Sequence, residues 1–225
     1  MEYQCIEKGI FLARPNRFIA HVEIGGQREI CHVKNTGRCR ELLIPGRTVY
    51  LELSDNPARK TKYDLVAVDR DGLLVNMDSQ APNRVFGEWA AENFLPDITE
   101  VKPEQRFGDS RFDFRITAGG QRHFVEVKGV TLFRDGGAFF PDAPTERGVK
   151  HLRELIRARE SGCGAAVCFI IQAEGIGYLS PNDETHPAFG DALRDAAKAG
   201  VGVYAYDCRV WETGLAIRAP IEVRL

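Results

Sequence analysis

The sequence predicts a two-domain α/β (α+β) chain: a small OB-like β-barrel over residues 1–82, then a mixed α/β domain over 83–225. Three observations predict it. The first eighty or so residues read as short strands divided by turn signals, with no convincing helical period. Beyond Ala81-Pro82-Asn83, helical stripes alternate with continuous apolar runs. Between them lies a hairpin, Ser110–Ile116 turning at Gly119-Gly120 into Phe124–Leu132, whose arms both alternate with period 2.

In order, the first strands are Phe18–Ile24, a Gly25-Gly26 turn, Glu29–Val33, Thr48–Leu53, Leu65–Val68, an Asp71-Gly72 turn and Leu73–Asn76. Five short strands suggest an OB-like barrel, with an SH3-like barrel as the alternative. Asn83 is expected to cap a helix over Arg84–Phe94, ended by Pro96. After the hairpin, Asp135–Pro144 reads as a Gly/Pro-rich loop, and Thr145 as the cap of a helix over Glu146–Glu160. Val149, Leu152, Leu155 and Ile156 form that helix's apolar stripe. Ala165–Ile171 reads as a buried strand, 188–199 as a helix ended by Gly200, and Val201–Tyr206 as a second buried strand joined by a parallel crossover. The tail from Val210 to Leu225 reads as a short hairpin.

The central hairpin carries the chemistry. A two-residue loop at Gly119-Gly120, where glycine accepts positive φ, pairs Ala118 with Gln121. Counting outward sets Asp113 opposite Glu126 and Arg111 opposite Lys128. Phe112, Phe114 and Ile116 should share one face with Val125 and Val127, leaving Arg111, Asp113 and Arg115 with Glu126 and Lys128 on the other. Opposed carboxylates repel and need a cation, which Lys128, Arg111 or a divalent metal could supply. Oxygen ligands with open positions suit Mg²⁺ or Mn²⁺. An Asp, a Glu and a Lys converging on one strand face would suit metal-assisted phosphodiester hydrolysis. Glu-x-Lys on a strand is equally the pattern of a solvated face, and a one-residue slip would turn each side chain over.

Composition bounds the function classes. The 225 residues are 44% apolar and 28% charged, with formal net charge −2. A core needs no staples at this length, and nucleic-acid binding would need a local basic patch. Residues 28–62 supply one, with eight Lys/Arg against four Asp/Glu. No signal-peptide core and no membrane-length apolar run stand out, so a cytoplasmic protein without a membrane partner is expected. The six cysteines show no metal-binding spacing. Cys163 and Cys168 are expected in a buried strand, and reduced thiols suit that compartment.

Several stretches are together highly specific: Arg14–Phe18, His32–Arg38, Leu43–Gly46, Asn56–Tyr63, Ser110–Phe114, Glu126–Leu132 and Phe140–Leu152. On these the chain resembles the sugar fermentation stimulation protein A family over essentially its whole length. The resemblance implies an OB-like domain followed by a restriction-endonuclease-like domain of the PD-(D/E)xK type. It implies DNA binding and a genetic link to regulation of sugar, notably maltose, catabolism. Carried over by position, Asp113, Glu126 and Lys128 match the nuclease core, and Glu88 matches the helix glutamate that such cores add as a metal ligand. Two departures stand out. Phe112 occupies the signature's proline position, and the Asp183–Pro187 linker varies, leaving His186 as a loop residue.

Arg147 and His151 lie four apart on one helix face, near an N-terminus that favours phosphate. With Arg111, Arg17, Lys34, Arg38, Arg40, Arg59, Lys60 and Lys62 they are the candidate phosphate contacts, with Tyr63 the aromatic beside the basic loop. The functional alternatives are a DNA-binding regulator making largely sequence-independent backbone contacts, an active Mg²⁺- or Mn²⁺-dependent endonuclease, and an interaction module that kept the fold for packing. DNA is the expected partner, RNA an alternative one, and a homodimer is compatible with the sequence.

Overall fold

A computed structural model describes residues 1–35 and 37–225; Thr36, within the basic-loop motif, lies outside them. The N-terminal strands are β1 (Ile6–Asn16), β2 (Ile19–Ile24), β3 (Gln27–Val33), β4 (Thr48–Leu53), β5 (Tyr63–Arg70) and β6 (Leu73–Asn76). β1 pairs antiparallel with both β2 and β4, β2 with β3, and β4 with β5, while a parallel β3–β5 pairing closes the ring. This is the OB-type five-stranded barrel. Closure removes the open edges that a flat sheet of this length would expose. Phe11, Val22, Cys31, Val49, Leu51 and Leu65 fill it and are essentially inaccessible. Contrary to the sequence expectation, β1 is the ring's first strand, and Leu73–Asn76 adds to β5 outside the ring.

The second part runs α1 (Ala81–Asn93), β7 (Ile98–Phe107), β8 (Ser110–Ala118), β9 (Gln121–Val130), β10 (Leu132–Arg134), β11 (Gly137–Phe140), α2 (Glu146–Glu160), β12 (Gly164–Ile171), β13 (Tyr178–Pro181), α3 (Pro187–Lys198), β14 (Gly202–Trp211), β15 (Gly214–Pro220) and β16 (Glu222–Val223). Its main sheet has the order β15-β14-β12-β9-β8-β7. The β9–β12 and β12–β14 pairs are parallel, and the outer pairs antiparallel. α1 covers one face through Val85, Phe86 and Ala90 against Phe114, Ile116 and Val125. Leu152 and Leu155 of α2 and Leu193 of α3 join the core on the other, with Val167 and Phe169. β11 falls within the stretch expected to be a loop and joins a small sheet of order β10-β11-β13-β16.

Two helix starts behave differently. Thr145 caps α2 as expected, its hydroxyl accepting from the Gly148 amide at 3.1 Å. Thr145→Ala should cost about 1 kcal/mol, read as a lower urea midpoint with unchanged slope. α1 instead begins at Ala81, three residues before the expected start, with Pro82 inside its first turn. Proline fits there because its missing N–H would be unpaired anyway. Asn83 is therefore not a cap, and its amide is free for another use.

The barrel and the second domain share buried polar contacts. Gln172 donates to Asn76 Oδ1 at 2.8 Å and to the Asp78 carbonyl at 3.0 Å, and Asn76 donates to the Tyr3 hydroxyl at 2.8 Å. Gly129 lies beside this contact: a Cβ there would come within 2.6 Å of both Gln172 Oε1 and Pro82 Cγ. All six cysteines are free. Burial pushes the Cys31, Cys39 and Cys208 thiols up to about 12. Cys163, expected inside a buried strand, precedes β12 and is only half-buried.

Candidate metal and nucleic-acid site

Gly119 and Gly120 take φ of +54° and +78°, so the turn has both central residues in the left-handed region. The ladder then runs outward from Ala118↔Gln121 through Phe114↔Val125, the expected register. It stops one pair short of Asp113 and Glu126. There the Val127 amide, which a longer ladder would use, donates to Asp113 Oδ2 at 2.8 Å. Asn83 of α1 donates to Asp113 Oδ1 at 2.8 Å.

The interruption also moves Phe112. It packs with Phe107, Phe124 and His151 rather than joining Phe114 and Ile116 under α1, contrary to the period-2 expectation. Opposite Asp113 in β7, Glu104 takes φ +56°, so the backbone of β7 leaves regular strand geometry at this step. Arg111 and Arg115 do not reach the carboxylates: Arg111 pairs with Glu104 at 2.7 Å and Arg115 with Glu100 at 2.5 Å.

Glu126 is only 3% exposed. Its Oε1 receives the Lys128 ammonium at 2.5 Å and the Nδ1 of His151. Arg147 Nε lies 3.4 Å from His151 Nε2. If that guanidinium donates, Nε2 accepts and the ring proton sits on Nδ1, facing Glu126. Glu126 Oε2 is buried and has no hydrogen-bond partner.

The two carboxyls are pushed in opposite directions. Burial and the Glu126 charge raise Asp113 above the ordinary carboxyl range, against the Val127 amide, Asn83 and Lys128. Burial would raise Glu126 too, but His151 and Lys128 outweigh it and hold Glu126 low. A half-buried carboxyl beside a buried carboxylate, the second with an oxygen that has no partner, makes an oxygen-donor site that fits a hard divalent cation. Among the described residues no three His, Cys, Asp or Glu side chains are already clustered as a metal-binding group.

Glu88 is not brought to this pair. It lines the same cavity as Asp113, but its carboxylate binds the N-terminal ammonium at 2.9 Å and Arg84 at 3.2 Å. Burial would raise its pKa, and these two cations hold it below the usual value. His186 is not a plain loop residue: it stands at the start of α3, accepts from the Thr145 amide at 3.3 Å and lies 3.1 Å from Glu146. Asn83 is the contact that sequence reasoning missed. Its available signal was a second amide acceptor and donor in the first turn of a helix next to the hairpin.

Comparison with known proteins bears on this arrangement. The family description "SfsA N-terminal OB domain" matches residues 12–77, and "Sugar fermentation stimulation protein RE domain" matches residues 80–214. A sugar fermentation stimulation protein homolog of Desulfitobacterium hafniense strain Y51 is 57% identical over 225 residues, covering 100% of this chain and 99% of its own. The chain belongs to the sugar fermentation stimulation protein family. A Ruminiclostridium cellulolyticum homolog is 52% identical, with 100% of both chains covered. The solved structure of Pyrococcus furiosus SfsA in complex with Ca²⁺ superposes with a TM-score of 0.89 at 30% identity, covering 100% of this chain and 98% of that one.

In this sugar fermentation stimulation protein family member the basic residues divide into two groups. Lys34 is held by Asp78 at 2.8 Å, and Arg59 makes bonds of 2.6 and 2.7 Å to both oxygens of Asp64. Their charge is spent inside the protein. Arg17, Arg38, Arg40, Lys60 and Lys62 are exposed and have no carboxylate partner among the described residues. Tyr63, the expected stacking ring, is 6% exposed in the barrel core, with the Lys62 ammonium 4.9 Å from its centre. Burial of its ring follows from its place in β5. No helix is long and apolar enough to cross a membrane among the described residues.

Proposed function

We propose that this protein binds DNA through the exposed basic loops of its barrel and holds a divalent cation at Asp113 and Glu126 of a nuclease-like α/β domain, acting as a regulator linked to sugar catabolism. The observation that carries the cation reading is Glu126 Oε2, buried without a partner beside the raised carboxyl of Asp113. The Ca²⁺ complex of the Pyrococcus furiosus relative supports the same class of ligand. Mg²⁺ or Mn²⁺ suits the same oxygen donors. When bound, such a cation would polarise a phosphate oxygen and lower the pKa of coordinated water. Asp113 and Glu126 would hold it, Asn83 and the Val127 amide orient Asp113, and His151 orients Glu126.

Backbone contacts by Arg17, Arg38 and Arg40 would be sequence-independent and salt-sensitive. In a salt titration, Arg38→Ala and Arg40→Ala should each lower the slope of log affinity against log salt by about 1. Lys34→Ala and Arg59→Ala should leave the slope unchanged and reduce folding stability instead, because their partners are internal carboxylates. A flat salt response in the wild-type protein would sink the phosphate-contact reading.

A second reading, hydrolysis of the phosphodiester, is favoured by the Lys128 ammonium held 2.5 Å from Glu126. That charge is placed to offset the negative charge that develops on a phosphate during displacement.

A further inference from the structure

The barrel's β1–β2 turn displays an aromatic ring on a fixed backbone. Phe18 is 54% exposed. Its amide donates to Asn16 Oδ1 at 2.9 Å, and its carbonyl accepts from the Val33 amide at 2.8 Å. Tyr204 is the other large aromatic exposed to a comparable degree, and it is already packed on Phe94 and Tyr206. Phe18 joins no aromatic pair among the described residues. One exposed phenyl ring needs no explanation by itself. Its surroundings do.

Arg14 ties the turn to the loop that follows β3. Its guanidinium donates to the carbonyls of Arg17 and Asn35 at 2.8 Å each, Gly37 at 3.0 Å and Arg38 at 2.7 Å. A planar fork with this many donors fixes both segments at once, which a lysine ammonium could not do. Arg14, Arg17, Arg38 and Arg40 line a broad opening of about 800 Å³ beside the turn. Arg17, Arg38 and Arg40 face no carboxylate partner among the described residues, in a protein whose net charge is −2. An anionic polymer matches that charge. The exposed Phe18 ring, next in the chain to Arg17, selects one whose bases are free to stack, because duplex bases are already stacked on one another.

We infer that the barrel is a single-strand platform: Phe18 stacks an unpaired base while Arg17, Arg38 and Arg40 hold neighbouring phosphates, with Arg14 positioning them. This rests on the nucleic-acid reading above and adds the strand state to it. Fluorescence anisotropy can test it with labelled oligothymidine of about twelve nucleotides, within the length one such barrel covers, and a duplex of equal length, both in EDTA. Phe18→Leu keeps the apolar volume and removes the ring. It should weaken oligothymidine binding about tenfold, the loss expected for one stacked base, and change duplex binding less than about twofold. Phe18→Trp should restore single-strand affinity and show indole quenching by the oligomer beyond any from Trp89 and Trp211. Unchanged single-strand affinity in Phe18→Leu, or equal losses on both substrates, overturns the platform and leaves the phosphate contacts standing. Wild-type protein that binds neither substrate overturns both.

Discussion

Asp113→Ala and Glu126→Ala should each abolish the stabilisation that Mg²⁺, Mn²⁺ or Ca²⁺ gives the folded protein. A cation that binds only the native state raises stability by about 2.7 kcal/mol at a hundred times its dissociation constant. The wild-type melting temperature should rise accordingly, and neither variant should respond. If a mixture with DNA or RNA yields cation-dependent products, both variants should lose them, as should Lys128→Ala, which keeps both carboxylates. A variant whose melting point still rises with cation would refute the assignment of that residue.

The pH dependence of the cation response follows from the opposed shifts. Asp113 is raised in the folded state, so its contribution to stability is present below the unfolded pKa and lost as pH rises through the folded value. Glu126 is lowered, so its contribution is present above the unfolded pKa and lost as pH falls through the folded value. A bound cation favours both carboxylates ionised. Its stabilising effect should therefore grow as pH climbs through the raised Asp113 value, and Asp113→Asn should remove that pH dependence.

How much of this was legible in the sequence depended on whether the signal was local. The hairpin register was legible because Gly119-Gly120 fixes the turn, and the turn fixes every pair out to Phe114↔Val125. Phe112 was not, because the period-2 rule assumes a regular strand, while the ladder with β9 ends at Phe114 and the backbone of Glu104, opposite Asp113, is left-handed. β1 escaped notice because its barrel contacts alternate weakly between Glu7-Lys8 and the Pro15 that ends its regular pattern. β7 drew no strand expectation because it is an edge strand that tolerates Pro103 and exposes much of its length. The use of Glu88 by the N-terminal ammonium joins residues far apart in the chain, and no local pattern encodes it. Lys34 looked like a surface cation because its partner Asp78 is far along the chain, and Arg59 because Asp64 follows it across a loop-to-strand junction that no regular spacing marks.

Phe112→Ala should be the most destabilising single change at the site, with a second effect on cation binding. The side chain is fully buried against Phe107 and Phe124, and its ring centre lies 6.2 Å from that of His151. Emptying such a position costs about 3–5 kcal/mol, measured as a lower urea midpoint. Phe169→Ala on β12 is a matched control: it is equally buried and packs on Phe140, with no aromatic contact to His151. Both variants should lose comparable stability. Only Phe112→Ala should also weaken cation affinity in titrations run where both remain folded, because His151 loses the ring that holds it against Glu126. Phe112→Leu, which refills most of the space, should recover affinity along with stability. Equal cation affinity in the two alanine variants would reduce Phe112 to packing alone, and would leave Lys128 as the residue that holds Glu126 Oε1 in place.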